Sequence, residues 1–278
     1  MKVAITHPTT FDRVRRGTER FVHELARYLA GRGHEVTVIA CKPGRRERIR
    51  KDGYVQDSHR RWWAPFLRRV GVLESHAFLA STFYSLMTNR YDVVQCCSFT
   101  DAYAAQLAAR FTGVPSAFFV NAIPPRVKYY RSVSLGGSVF QSAVRGADEL
   151  IPISRYVQAY CEERFGRAGS CLPVPVDVDS FAYPDKQLTH PPVLACTAAL
   201  DDRRKGGNVL MRAFNRVKLR IPDLILEVWC ELPSDVQDAL AGEVEPQFRD
   251  DVRFMGPGAV EGLREVYGRA TATVLPSV

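Results

Sequence analysis

The stretch "KVAITHPTTFDRVRRGTERFVHELARYLAGRGHEVTVIA" (Lys2 to Ala40) decides how the rest of the chain is read. "KVAITH" is a short apolar strand. "TERFVHELARYLAGRG" then places Phe21, Val22, Leu25, Ala26 and Leu29 on one helical face, with Thr18 positioned to cap it. "HEVTVIA" is a second strand. Strands that are apolar throughout, joined by an amphipathic helix, belong to a parallel sheet covered on both faces.

The alternation continues outward. "DVVQCC", "PSAFFV" and "DELIPIS" read as strands; "DAYAAQLAARFTG", "SLGGSVFQSAVRGA" and "SRYVQAYCEERFG", the last capped by Ser154, read as helices. The insert Gly44–Asn89 fits no period well and reads as irregular or helical. "CLPVPVDVDSFAYPDKQLTHPP" (Cys171 to Pro192) is proline-rich with no helical period, so residues 173–192 read as a connection between domains 1–172 and 193–278. A second alternation follows, from "PVLACTAAL" to the final "LREVYGRATATVLPSV". That ending is a helix and then a buried strand, which is the middle of an α/β pattern. The expectation is therefore a second domain that is begun and left incomplete. Two such domains in tandem are expected to bind ligands at the carboxyl ends of their strands.

Composition narrows the class. Of 278 residues, 46% are hydrophobic and 24% charged, which suits a globular chain and excludes a disordered one. No apolar run approaches the roughly 20 residues of a membrane span. The chain enters a strand at once, so a cytoplasmic protein without a leader is expected. The seven cysteines show no CxxC spacing and read as buried, reduced thiols, with no metal site. The net charge of +8 is uneven. Residues 1–172 hold 26 basic and 14 acidic side chains, and residues 173–278 hold 12 and 16. Part of the excess lies in "HRRWWAPFLRRVG" (His59 to Gly71), where Arg60, Arg61, Arg68 and Arg69 flank Trp62, Trp63 and Phe66. Such a stretch fits an anionic membrane surface, a phosphorylated acceptor or nucleic acid, and equally a solvated segment whose tryptophans pack on the core. No nucleic-acid motif accompanies it, so nucleic acid is not an expected partner.

Two strand-to-helix loops carry chemistry. In "HPTTFDRVRRGTE", Gly17 permits a sharp turn and Arg13, Arg15 and Arg16 place cations beside the free N–H groups of a helix start. This is not GxGxxG, so a dinucleotide is not indicated. "ALDDRRKGG" (Ala199 to Gly207) holds the equivalent position in the second domain. Arg203, Arg204 and Lys205 cluster where a helix begins, and Gly206 and Gly207 leave room for a phosphate, an arrangement able to stabilise a diphosphate leaving group.

The sequence resembles the family 4 glycosyltransferases of the GT-B fold. The resemblance rests on "RRGTERFVHELARYLAGRGHEVTVI", "ADELIPISRYVQAYCEERFG", "DDRRKGGNVLMRAF" and "VRFMGPGAVEGLREVYGRATATVLPS", which occur in family order across nearly the whole chain. It implies an α/β chain of two Rossmann-like domains that transfers a sugar from a nucleotide-sugar to an acceptor, with retention and no obligatory metal or other cofactor. The donor is implied on the second domain and a sugar, lipid-linked or small-molecule acceptor on the first. Residue by residue, it implies donor contacts for Gly17, Arg204, Lys205, Gly206, Gly256 and Gly258, and acceptor or phosphate contacts for Arg15, Arg16 and Asn121. His34, in "GHEV", is implied as packing. No catalytic residue is assigned. Arg60, Arg61, Trp62, Trp63, Arg68 and Arg69 fall in the acceptor-side domain and suit an acceptor or peripheral contact on the inner face of the membrane.

The sequence departs from the family at four places. Arg16 replaces the first loop glycine, Ala199 a common arginine, and Asn121 a common histidine. The chain also stops before the family's E-x7-E element. The alternative to an enzyme is an accessory or non-catalytic homologue that binds an acceptor or membrane surface.

Overall fold

A computed structural model describes residues 1–14, 16–60, 74–123, 134–176, 178–179, 190–256 and 260–277. The chain divides into two compact units, Met1–Pro175 and Val176–Val278.

The first unit is built on a seven-stranded sheet of order β3-β4-β2-β1-β5-β6-β7. The strands are β1 Lys2–Thr6, β2 Glu35–Lys42, β3 Glu47–Lys51, β4 Tyr54–Arg60, β5 Val93–Cys96, β6 Ser116–Val120 and β7 Glu149–Pro152. Helices α1 (Gly17–Gly31), α2 (Glu74–Thr88), α3 (Phe99–Thr112), α4 (Ser134–Gly146) and α5 (Arg155–Phe165) cover it. Side chains alternate along each strand, so every strand feeds two cores. Val3, Ile5, Val36 and Val38 meet Phe21, Val22 and Ala26 of α1. Ala4, Ile39, Val94 and Phe118 meet α2 to α5 on the other face. Phe21 stacks on Phe119 with ring centroids 4.5 Å apart, fixing α1 against the sheet. The alanines of α3, among them Ala102, Ala105 and Ala108, let that helix lie close to the strands.

Three expectations are corrected. Gly44–Asn89 is not an irregular or helical insert throughout: β3 and β4 form an antiparallel hairpin, with Lys51 opposite Tyr54. Asp52 (φ 47°) and Gly53 (φ 87°) make its two-residue turn, the pair of left-handed residues that a tight hairpin of this hand needs. Arg46 clamps the buried Asp57 carboxylate with bonds of 2.8 and 2.5 Å. Second, Thr18 does not cap α1. Arg16 holds the cap position without a side-chain bond, because the helix already begins at Gly17. Ser154 does cap α5, accepting from Val157 N at 3.3 Å.

The second unit carries a four-stranded parallel sheet of order β10-β9-β8-β11. Its elements are β8 Val193–Cys196, a 3-10 turn Arg203–Lys205, α6 Gly207–Lys218, β9 Ile225–Val228, α7 Ser234–Gly242, β10 Val252–Phe254, α8 Val260–Arg269 and β11 Ala272–Thr273. Helices α6 and α7 bury Leu210, Met211, Phe214 and Leu240 on one face. Val266 and Ala270 of α8 pack on Ala195 on the other. The third correction falls here: "TATVLPSV" is not a buried strand. Only Ala272–Thr273 pairs, both residues are exposed, and Leu275 is 72% exposed. Among the described residues β11 pairs with β8 alone.

Candidate functional site

In each sheet the strand order reverses once, and ligands of open parallel sheets bind at the carboxyl ends of the strands beside that reversal. In the first unit it lies between β1 and β5, and in the second between β8 and β11.

At the first reversal, Thr6 ends β1 and Asp101 opens α3. Thr6 Oγ1 donates to Asp101 Oδ2 at 2.5 Å, and the Cys97 amide donates to the same oxygen at 3.3 Å. Asp101 has no exposed surface, and burial pushes its pKa up to about 7. His7 follows Thr6 and is 9% exposed. Its Nδ1 lies 3.0 Å from the Thr9 carbonyl oxygen, the geometry of an Nδ1–H donor, which leaves Nε2 as the acceptor. Burial lowers the His7 pKa, more than the Thr9 carbonyl and Glu19 raise it, so the ring is neutral near pH 7. Thr9 Oγ1 donates to Glu19 at 2.7 Å, and Asn121, just past β6, donates from Nδ2 to Thr18 Oγ1 at 2.9 Å. The first turn of α1 is thereby tied to the ends of β1 and β6.

At the second reversal, Asp202 caps the 3-10 turn by accepting from the Arg204 amide at 3.0 Å. Its carboxylate also takes Arg204 Nε at 3.1 Å and Nη2 at 2.5 Å. The Arg204 hydrogen bonds hold the Asp202 pKa down to about 2. Of the three cations in the turn, Arg204 is ion-paired, while Arg203 and Lys205 make no ion pair among the described residues. Gly206 has φ +66°, and a Cβ added there would lie 2.1 Å from the Pro276 carbonyl oxygen. The turn is thus seated directly on the backbone that follows β11. At the end of β10, Gly256 has φ +73° with open space around it. No group of three or more His, Cys, Asp or Glu side chains able to hold a metal occurs among the described residues.

The sequence pattern of Glycosyltransferase Family 4 matches residues 15–180, more than half of the chain. The chain belongs to glycosyltransferase family 4. No curated protein sequence matches it. Among solved structures, sucrose-phosphate synthase from Thermosynechococcus elongatus is similar over 99% of this chain and 75% of its own, at 17% identity and a TM-score of 0.78. Anabaena HepE in complex with UDP and glucose is similar over 100% of this chain and 74% of its own, at 13% identity and a TM-score of 0.72. A UDP-forming trehalose-phosphate synthase from Burkholderia vietnamiensis covers 96% and 75%, at 11% identity and a TM-score of 0.63. These likenesses establish the GT-B fold. The chain spans about three quarters of the length of each of these structures.

Against this family fold, the residues singled out in the sequence divide into four groups. Lys205 and Gly206 stand together in one turn at the second reversal, while Arg204 is held by Asp202. Gly256 lies two strands away on the same end of the sheet. Asn121 reaches the first turn of α1 through Thr18, the residue after Gly17, and Arg16 is exposed. Gly17 does not make the sharp turn expected of it: its φ is ordinary and an added Cβ would meet nothing within 4 Å, so its smallness leaves open space beside the helix start. Arg15, Arg61, Trp62, Trp63, Arg68, Arg69 and Gly258 lie outside the described residues; Arg60, the last residue of β4, is exposed. Sequence reading missed Asp101, His7 and Glu19. His7 was legible as a polar residue directly after the first strand. The signal for Asp101 was weaker, an acidic residue in the first turn of an otherwise apolar helix.

Proposed function

We propose that this family 4 protein transfers a sugar, a hexose or close relative, from a nucleotide-sugar to an acceptor hydroxyl, with retention and without a resident metal. The second unit holds the donor. The observation that carries this reading is the Asp202–Gly206 turn at the second reversal. Asp202 neutralises Arg204 and orients the turn, so Arg203 and Lys205 are the cations left beside a glycine-lined helix start, and Lys205, next to Gly206, suits a diphosphate. The first unit holds the acceptor, with the Asn121 side-chain oxygen and the neutral His7 offering acceptors to sugar hydroxyls, and Arg16 meeting any phosphate. UDP is present in the HepE structure, which supports a nucleoside diphosphate as the donor moiety here.

Calorimetric titration with UDP, ADP and GDP tests the reading. Lys205→Ala removes a charge-assisted contact and should weaken binding by about 1.5–3 kcal/mol. Arg204→Ala should weaken it less, because that guanidinium is already spent on Asp202. Equal affinities for parent and Lys205→Ala refute the role of the turn. Nucleotide binding without sugar transfer to any acceptor would instead mark an accessory chain. The configuration of the product's new bond, read by NMR, tests retention.

The acceptor side extends to the basic, tryptophan-bearing stretch from Arg60 to Arg69, which we assign to salt-sensitive contact with anionic lipid on the cytoplasmic face. No helix among the described residues is long and apolar enough to cross a membrane, so any such contact is peripheral. Each cation near an anionic surface adds on the order of 1 kcal/mol. Changing Arg60, Arg61, Arg68 and Arg69 to glutamine should abolish co-sedimentation with phosphatidylserine vesicles at low salt. Absence of binding by the parent at low salt refutes the contact and leaves a soluble acceptor.

A further inference from the structure

On the α8 face of the second sheet, a buried carboxylate holds an indole at the ligand-binding end. Glu227 and Trp229 are two residues apart and share a face of β9 and its extension. Glu227 is only 2% exposed. Its carboxylate accepts from Trp229 Nε1 at 2.9 Å and from both terminal nitrogens of Arg269 at 3.1 and 2.6 Å. A buried carboxylate costs several kcal/mol unless it is paired this fully, so these three side chains form a built unit. Trp229 packs on Ala195, Val266 and Ala270. It lies just past the carboxyl end of β9, its amide bonded to Cys196 O at the end of β8, and one residue on from Val228, whose carbonyl binds Met255 next to Gly256. Thr197 follows Cys196, with its Oγ1 3.0 Å from the hydroxyl of Tyr267, which is 38% exposed. An aromatic ring pinned by its N–H therefore stands at the carboxyl end of the sheet, with Thr197, bonded to Tyr267, opposite it in the continued β8–β9 register.

We propose that Trp229 is the platform on which the base of a nucleoside diphosphate stacks, with Thr197 and Tyr267 facing the ribose and with Glu227 and Arg269 as positioning residues. This rests on the nucleotide-sugar reading above and assigns its nucleoside half to particular side chains. Stacking on a π-face tolerates any base, so Trp229 contributes affinity for the nucleoside and not a choice between purine and pyrimidine.

The test uses the full chain with Trp62→Phe and Trp63→Phe, which leaves Trp229 as the sole fluorophore of the three tryptophans. UDP, ADP and inorganic diphosphate are titrated by fluorescence and by calorimetry. UDP and ADP should quench the indole and inorganic diphosphate should not. Trp229→Leu should lower affinity for UDP and ADP about tenfold and leave inorganic diphosphate unchanged. Trp229→Phe, which keeps a smaller ring, should fall between, and Glu227→Gln, which loosens the indole, should weaken the nucleotides alone. If Trp229→Leu binds UDP as the parent does while Lys205→Ala still weakens it, the platform is refuted and the donor reading stands. An equal loss for UDP and inorganic diphosphate marks general damage and also refutes the platform. If the parent binds none of the three, the donor reading fails and takes the platform with it.

Discussion

Replacing Gly206 by alanine tests how the Asp202–Gly206 turn is built. Two costs add. The backbone sits at φ +66°, where an L-residue with a Cβ is less stable by roughly 1–2 kcal/mol. The new methyl would also lie 2.1 Å from Pro276 O and 3.0 Å from Pro276 C. Those are backbone atoms, not the end of a flexible side chain, so relief requires the turn and the Leu275–Ser277 backbone to part by about 1 Å, at a further cost of roughly 1–2 kcal/mol. The sum is a loss of about 2–4 kcal/mol, confined to the second unit. Urea unfolding followed by Trp229 emission, in the Trp62→Phe/Trp63→Phe background, reads that unit. Gly242→Ala, at the end of α7 in the same unit, is the control: nothing lies within 4 Å of its added methyl and its φ is ordinary, so it should not destabilise. If Gly206→Ala falls within about 0.5 kcal/mol of the parent, the contact between the turn and the backbone after β11 is not what seats the turn.

Three further outcomes follow from the geometry. Asp101 has a folded pKa near 7, above its unfolded value, so the folded state holds a proton that the unfolded state has lost. Its contribution to stability is therefore full below about pH 4 and is lost as pH rises to about 7. Asp101→Asn keeps an acceptor for Thr6 and should remove this slope; parent and variant compared by urea unfolding at pH 5 and pH 8 check it, and parallel pH profiles refute it. His7 acts in the opposite direction: its lowered pKa makes acid destabilising as pH falls through the usual histidine range, and His7→Gln should flatten stability between pH 7 and pH 5. Arg46→Ala leaves the buried Asp57 carboxylate without its two-point partner and should cost about 3–5 kcal/mol in thermal or urea unfolding, against near-neutrality for the exposed Arg48→Ala.

How much of this was legible in the sequence depended on the range of the interaction. β1, α1 and β2 were readable because periodicity and burial coincide, as Phe21, Val22 and Ala26 show. Ser154 was readable as a cap because capping is local. The β3–β4 hairpin was legible in principle: Asp52-Gly53 is a strong two-residue turn signal, but the flanking "ERIRK" carries four charges and hid the strand. Thr18 is not the cap because α1 begins one residue before it, and its hydroxyl instead accepts from Asn121, 103 positions away. The Lys205 turn was visible as composition. That Arg204 is neutralised by Asp202, and that Gly206 is required by Pro276, depends on folded proximity that no spacing rule contains. The same holds for Asp101, whose partners are Thr6 at the end of β1 and Cys97 just past β5.

The edges of the first sheet have a consequence for association. β3 shows exposed Glu47, Arg48 and Arg50 to the outside. At the other margin β7 ends in Pro152, and the carbonyls of Leu150 and Pro152 already accept from Ser170 and Leu172 of the following segment. An incoming strand would have to strip charged side chains from water on one side or displace that segment on the other. Joining of copies by sheet extension through the first unit is thereby disfavoured at both margins, and its association with other molecules falls to side-chain surfaces and not to the backbone.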